Sequence, residues 1–170
     1  MFYRMKQLYH TLFAKVEPSE YAWLEKKLAP AEFALFTKQP LPEQRHALDV
    51  AFEINNKKKE IIQTYGQNIY ENLILAALLH DCGKSLIRLH LWQRVFIVIA
   101  GCLPQSWRNK IIEQRNLFGK TLLIYKRHPA WGKRLAARIG VNKEVQSLIQ
   151  NHHSPTNPVE QILYQTDNRH

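Results

Sequence analysis

At 170 residues, 45% of them hydrophobic and 22% charged, the chain suits one folded domain with a real core and is too apolar to be disordered. Its formal charge of +10 points to anionic partners: phosphorylated small molecules, nucleic acid or an acidic membrane surface. Two cysteines without CxxC spacing exclude a disulfide framework and a thiolate zinc site.

Phe2, Met5, Leu8, Tyr9, Leu12, Phe13 and Val16 recur at helical spacing, which predicts an opening amphipathic helix without the h-region of a signal peptide. No stretch of about 18 apolar residues offers a spanning helix, so the expected compartment is the cytoplasm. Pro18 starts a second helix over residues 19–28, and Pro30 a third that carries Phe33, Leu35 and Phe36. The break Gln39-Pro40-Leu41-Pro42 divides an N-terminal helical extension, residues 1–40, from a main domain, residues 41–170. Pro42 lies in the first turn of a long helix predicted to reach Tyr65 and stop at Gly66, with Lys57-Lys58-Lys59 on a solvated face. Asn68 is placed to cap the next helix. Its residues 73–79 are unbroken apolar, the pattern of a helix buried on all sides, and Gly83 is expected to end it as the C′ residue. Its last turn carries His80 and Asp81, which are costly to bury unless paired, hydrogen-bonded or bound to a metal.

Residues 86–103 are mostly apolar and read as a buried helix, with an interfacial membrane helix as the alternative. His90, Gln93, Arg94 and Gly101 form its narrow polar stripe. After Pro104 comes a more polar helix with Arg108, Lys110 and Arg115. Residues 121–125 fit helix or strand. Pro129 is expected to open a helix that contains Trp131, Leu135, Ala136 and Ile139 and ends at Gly140. Asn142 caps the following one, in which Val145, Leu148, Ile149 and His152 share a face. Residues 158–167 form the last, bringing Leu163, Tyr164 and Asp167 together. The pattern is all-α.

One histidine on an apolar face is usually a satisfied core residue. Here His46, His80, Asp81, His128, His152, His153 and Asp167 fall at the ends or on the apolar faces of five separate helices, and packing alone does not explain that. Imidazole and carboxylate together suit Fe, Mn, Co, Ni or Zn, and a carboxylate can bridge two ions. The order His46 (RHALDVA), His80-Asp81 (LLHDCGK), His128 (HPAWGKRLA), His152-His153 (NHHS) and Asp167 (YQTDN) resembles the HD superfamily of metal-dependent phosphohydrolases. The likeness is strongest to the branch with the HDIG signature, which includes the HD-GYP phosphodiesterases, and it spans residues 44–167.

The resemblance implies an HD-domain helical bundle with ligands converging from several helices. His46, His80, Asp81 and Asp167 would hold one divalent ion; Asp81 would bridge to a second held by His128, His152 and His153. Lys84 matches the family lysine near the scissile phosphate. The implied activity is hydrolysis of a phosphoester of a nucleotide or related small molecule, with Asp81 and Lys84 as catalytic residues. The chain departs from the family in several places. Cys82 stands where the signature often has Ile, and Ser154 replaces the acidic residue after the paired histidines. Pro155-Thr156-Asn157-Pro158 stands where a GYP motif would follow, which argues against cyclic dinucleotides, and residues 86–127 make a longer link than compact HD domains have. Two other readings compete: a regulatory HD module that binds metal or nucleotide without turnover, and a basic protein that binds nucleic acid or an acidic membrane surface.

Overall fold

The computed structural model describes residues 14–87 and 90–170, the side chains of Leu91 and Arg94 apart. The described residues form ten α-helices and one 3₁₀ turn, with no strand among them. The helices are α1 (Pro18–Lys27), α2 (Pro30–Thr37), α3 (Leu41–Asn56), α4 (Lys58–Tyr65) and α5 (Gln67–Leu79). After the 3₁₀ turn (Cys82–Leu86) come α6 (Leu91–Ala100), α7 (Gln105–Glu113), α8 (Leu117–Arg138), α9 (Lys143–Asn151) and α10 (Pro158–Asp167). The predicted opening helix lies, up to Phe13, outside the described residues.

Helix α5 is the axis of the bundle. Leu73, Ala76, Ala77, Leu78 and Leu79 are fully buried, so neighbours cover nearly every side of it. Ala47, Leu48, Val50, Ala51 and Ile54 of α3 pack on one flank, and Val145 and Ile149 of α9 with Leu163 of α10 complete the same core. Each fully buried aliphatic side chain contributes about 1.5–3 kcal/mol. Leu24, Leu35 and Phe36 of α1 and α2 belong to this core too. The Gln39 Nε2 amide donates to the Leu78 carbonyl (2.9 Å), tying the segment before Pro40 to the axis.

Local chemistry sets the helix starts. Proline stands at the first turn of α1, α2, α3 and α10. Asn116, Asn142 and Asn157 accept from the backbone N–H of Gly119, Val145 and Glu160 at 2.9 Å each, capping α8, α9 and α10. Gly66 (φ 89°) and Gly140 (φ 82°) take the left-handed conformation at the ends of α4 and α8.

Several sequence expectations are corrected. The long helix from Pro42 to Tyr65 is broken at Lys57 (φ −92°, ψ 10°). Two weak helix formers, Asn55 and Asn56, precede the break, and Asn55 Oδ1 is engaged by the Tyr70 hydroxyl at 2.7 Å. Asn68 does not cap α5; Gly66 takes the N-cap position. Residues 121–125 are helical, and Pro129 lies inside the 22-residue α8 rather than opening a helix. Gly83 is not a left-handed terminator. It lies in the 3₁₀ turn, where a Cβ would fall 2.0 Å from the His128 carbonyl oxygen and 2.7 Å from the Gly132 nitrogen.

The helix over residues 91–100 is not buried either. It packs chiefly on α8, and of its polar stripe Gln93 turns inward while His90 and Gly101 stay exposed. Gln93 is buried, donating to Thr121 Oγ1 (2.8 Å) and accepting from the His90 N–H (2.8 Å). A buried polar contact with a partner is cheap to bury, and it leaves the apolar side, Trp92 and Ile99, towards solvent. The Arg94 side chain of that stripe lies outside the described residues.

Candidate metal centre

Five helices and the 3₁₀ turn bring all the predicted ligands to one place. His46 projects from the first turns of α3, His80 caps the end of α5, and Asp81 precedes the 3₁₀ turn. His128 stands in the middle of α8, His152 and His153 follow α9, and Asp167 ends α10. His46, His80 and Asp167 form one group with ligand atoms within 4.8 Å of one another, and His128, His152 and His153 form a second. Asp81 lies between them. Its Oδ2 is 3.5 Å from His80 Nε2, and its Oδ1 is 3.1 Å from His128 Nε2 and 3.9 Å from His152 Nε2. His46 Nε2 contacts Asp167 Oδ1 at 2.8 Å. His153 has the most exposed of the seven side chains; its Nδ1 is 3.9 Å from Asp167 Oδ2, so the turn after His152 keeps it at the rim of the site.

The backbone orients three of these rings in the same way. His80, His128 and His152 each place Nδ1 on the carbonyl three residues back: Ala77 (2.8 Å), Tyr125 (2.6 Å) and Ile149 (2.7 Å). A carbonyl only accepts, so each Nδ1 carries a proton and each Nε2 faces the centre. Ala77 and Ile149 lie in the last turns of α5 and α9, where carbonyls lack helical partners. Tyr125 is in mid-helix, and its carbonyl would ordinarily accept from residue 129. Pro129 has no N–H to give. The proline thus frees the acceptor that aligns His128. The same region of α8 is brought close by small residues: Gly83 meets the His128 backbone, and Gly132 faces Ile149 and Cys82.

The inward atoms could hold a cation. His128 Nε2 and His152 Nε2 are 3.2 Å apart with both rings buried, and neither has a proton to offer the other. His80 Nε2 and Asp81 Oδ1 are buried with no hydrogen-bond partner. Such uncompensated buried polar atoms cost about 1–3 kcal/mol each. Burial, with the neighbouring His153, His80 and His128, holds His152 well below the ordinary imidazole range, and burial likewise lowers His128. Burial and His128 bring His153 down to about 4. These rings are neutral ligands. His80 differs: burial opposes its charge, but the Asp81 and Asp167 carboxylates outweigh it and raise the ring to about 9. Against the same cost of burial, Asp81 is held well below the carboxylate range by Lys84, His80 and His128, and Asp167 by His46 and His80. The donor set therefore fits divalent metal: two carboxylates and five imidazoles, with second-shell carbonyls already in place.

Lys84 Nζ donates to Asp81 Oδ2 at 2.6 Å. Three further residues were not singled out as site residues in the sequence. The Tyr125 ring stands 5.7 Å from His128 and 5.5 Å from His153, and the phenol is raised by its burial. Arg108 of α7 lies near enough for its charge to act on that phenol, and its Nε is buried without a hydrogen-bond partner. Tyr125 could have been found one turn before His128; nothing in the sequence links Arg108 to the site. Glu160, fully buried, accepts from Ser147 Oγ (3.0 Å), Asn151 Nδ2 (2.7 Å) and the Thr156 N–H and hydroxyl (2.8 Å each). It fixes the loop that joins His152 and His153 to the helix of Asp167.

Comparison with protein-family models, with curated proteins and with solved structures finds no match to this chain. The buried His/Asp cluster, able to hold a metal ion, is the functional statement that the residues themselves carry.

Proposed function

We propose that the chain is a metal-dependent phosphohydrolase of the HD type, cleaving a phosphoester of a nucleotide or related small molecule. The observation that carries it is the convergence on one buried point of His80 Nε2 and Asp81 Oδ1, both without a hydrogen-bond partner, and the facing Nε2 atoms of His128 and His152. His46, His80 and Asp167 would hold one ion and His128, His152 and His153 another, with Asp81 shared. Divalent ions held there supply Lewis acidity and make water a competent nucleophile near neutral pH. Asp81 and Asp167 supply the negative charge that such ions require. Lys84 and Arg108, both near enough for their charge to act on Tyr125, would supply the positive charge that an anionic phosphoryl group requires. An ammonium aimed at developing phosphoryl charge should contribute on the order of the 2.7–4 kcal/mol lost when a single oxyanion donor is removed.

The experiment is metal analysis of the purified chain, then a nucleotide and phosphoester panel with added Mn²⁺ or Fe²⁺, cyclic dinucleotides included. Hydrolysis that falls about 100-fold in Lys84→Ala, with metal content unchanged, is expected. Cyclic dinucleotides should be poor substrates. A metal-loaded chain inert across the panel leaves the regulatory reading, since the site would then bind without turnover.

A further inference from the structure

Among the described residues, nine large apolar side chains are exposed, and seven of them fall in residues 86–118. Trp92, Phe96 and Ile99 follow one another at helical spacing along α6, and Phe118 at the start of α8 joins them, its ring 5.8 Å from Trp92 and 4.8 Å from Phe96. Ile99 is 60% exposed and Trp107 of α7 is 62% exposed. The charge is concentrated here as well. Residues 86–127 hold eight Lys and Arg against one acid, Glu113, and so carry most of the chain's net charge. Lys110, Arg115 and Lys120 are exposed in the structure.

We propose that α6, α7 and the first turn of α8 form a docking surface for an anionic phospholipid membrane. Tryptophan and aliphatic side chains beside lysine and arginine are the composition that enters the headgroup boundary, and each basic side chain near an acidic leaflet adds about 1 kcal/mol. The segment lies on the membrane rather than through it. Helix α6 has ten residues, and no helix among the described residues is long and apolar enough to cross. A second copy of the chain would bring an equally basic face against this one. Nucleic acid would leave Ile99 and Leu117 without a partner, since phosphates and base edges call for polar and charged contacts. The inward turn of Gln93 fits the same purpose, because α6 satisfies that side chain on α8 and keeps Trp92 and Ile99 outward. The surface also adjoins the candidate metal centre: Arg108, next to Trp107, is among the residues whose charge acts on Tyr125.

The test is co-sedimentation of the full chain with vesicles of phosphatidylcholine alone and of equal parts phosphatidylcholine and phosphatidylglycerol, at low and high salt, with tryptophan emission recorded. Binding to the anionic vesicles only, weakened by salt and with blue-shifted emission, is expected. Ile99→Asp and Lys110→Glu/Lys120→Glu should each lower it more than about tenfold, with helicity and metal content retained as evidence of an intact fold. Three results overturn the proposal: no vesicle binding at low salt, vesicle binding that neither variant weakens, or a stable dimer in solution that Ile99→Asp dissociates. Binding to a random DNA or RNA duplex without vesicle binding assigns the basic face to nucleic acid and overturns it too.

Discussion

Around the metal centre apolar helices conceal imidazoles and carboxylates, whereas along α6 and α7 a buried glutamine faces inward and tryptophans face out. The two regions share α8, whose first turns carry Phe118, Gly119 and Thr121 toward α6 and α7 and whose middle carries Tyr125 and His128 toward the ligands. Burial is therefore a poor guide to importance in this chain. In one region the costly groups are polar and inside, placed where they could hold a metal ion. In the other they are apolar and outside, and they ask for a partner of a different kind.

The largest effect expected to separate the regions comes from their glycines. Gly83→Ala places a methyl 2.0 Å from the His128 carbonyl oxygen, a backbone atom that cannot step aside. Destabilisation of about 1–3 kcal/mol or more is expected, with loss of metal. Gly119→Ala meets a similar obstruction, 2.4 Å from the Ile111 carbonyl oxygen, but at the α7–α8 junction. Thermal unfolding with metal analysis should find both destabilised and only the first depleted of metal. Equal metal loss in both would mean that the two regions are one mechanical unit.

Next is Pro129→Ala. The new N–H competes with His128 Nδ1 for the Tyr125 carbonyl, so the ring loses its carbonyl anchor while α8 loses an unfavourable residue that costs about 3 kcal/mol in a helix interior. Metal affinity should fall about 10–100-fold, the usual cost of an outer-shell loss, while unfolding stability holds or rises. Unchanged affinity would show that packing alone orients His128.

A smaller effect is expected from Glu160→Gln, which mispairs the Thr156 donors and should cost about 1–2 kcal/mol near neutral pH. Although burial works against its charge, Glu160 is held below the ordinary carboxylate value by Thr156, Asn151 and Ser147. A carboxyl depressed in the folded state stabilises fully above its unfolded pKa, and that stabilisation is lost as pH falls through the folded value. Chemical denaturation of parent and variant across pH should therefore show the gap closing on acidification below the usual carboxylate range. A gap independent of pH would mean that the charge of Glu160 contributes nothing.

The comparison also explains what could be read in the sequence. Helix starts at Pro18, Pro30 and Pro158, ends at Gly66 and Gly140, and caps at Asn142 were legible because each follows from a local rule. His46, His80, Asp81, His128, His152, His153 and Asp167 were legible as candidates because they interrupt or end apolar faces in five helices, and their convergence was legible through the resemblance to the HD superfamily. Pro129 was misread: its favoured place is a first turn, and the compensation that admits it to mid-helix comes from a side chain, His128. Gly83 was misread because a glycine after a helix reads as a terminator, whereas its close approach is to a helix some 50 residues away in sequence. The inward turn of Gln93 depends on Thr121 of another helix, which no periodicity within α6 records.

The central claim is that the buried acceptors are ligands arranged around Asp81, and metal stoichiometry measured by elemental analysis after reconstitution tests it most directly. Two ions per chain are expected in the parent, about one in His128→Ala and in His152→Ala, and none in Asp81→Ala, each variant remaining helical. One ion in the parent, unchanged in the two histidine variants, would contradict the binuclear arrangement. Full metal content in Asp81→Ala would contradict the centre itself.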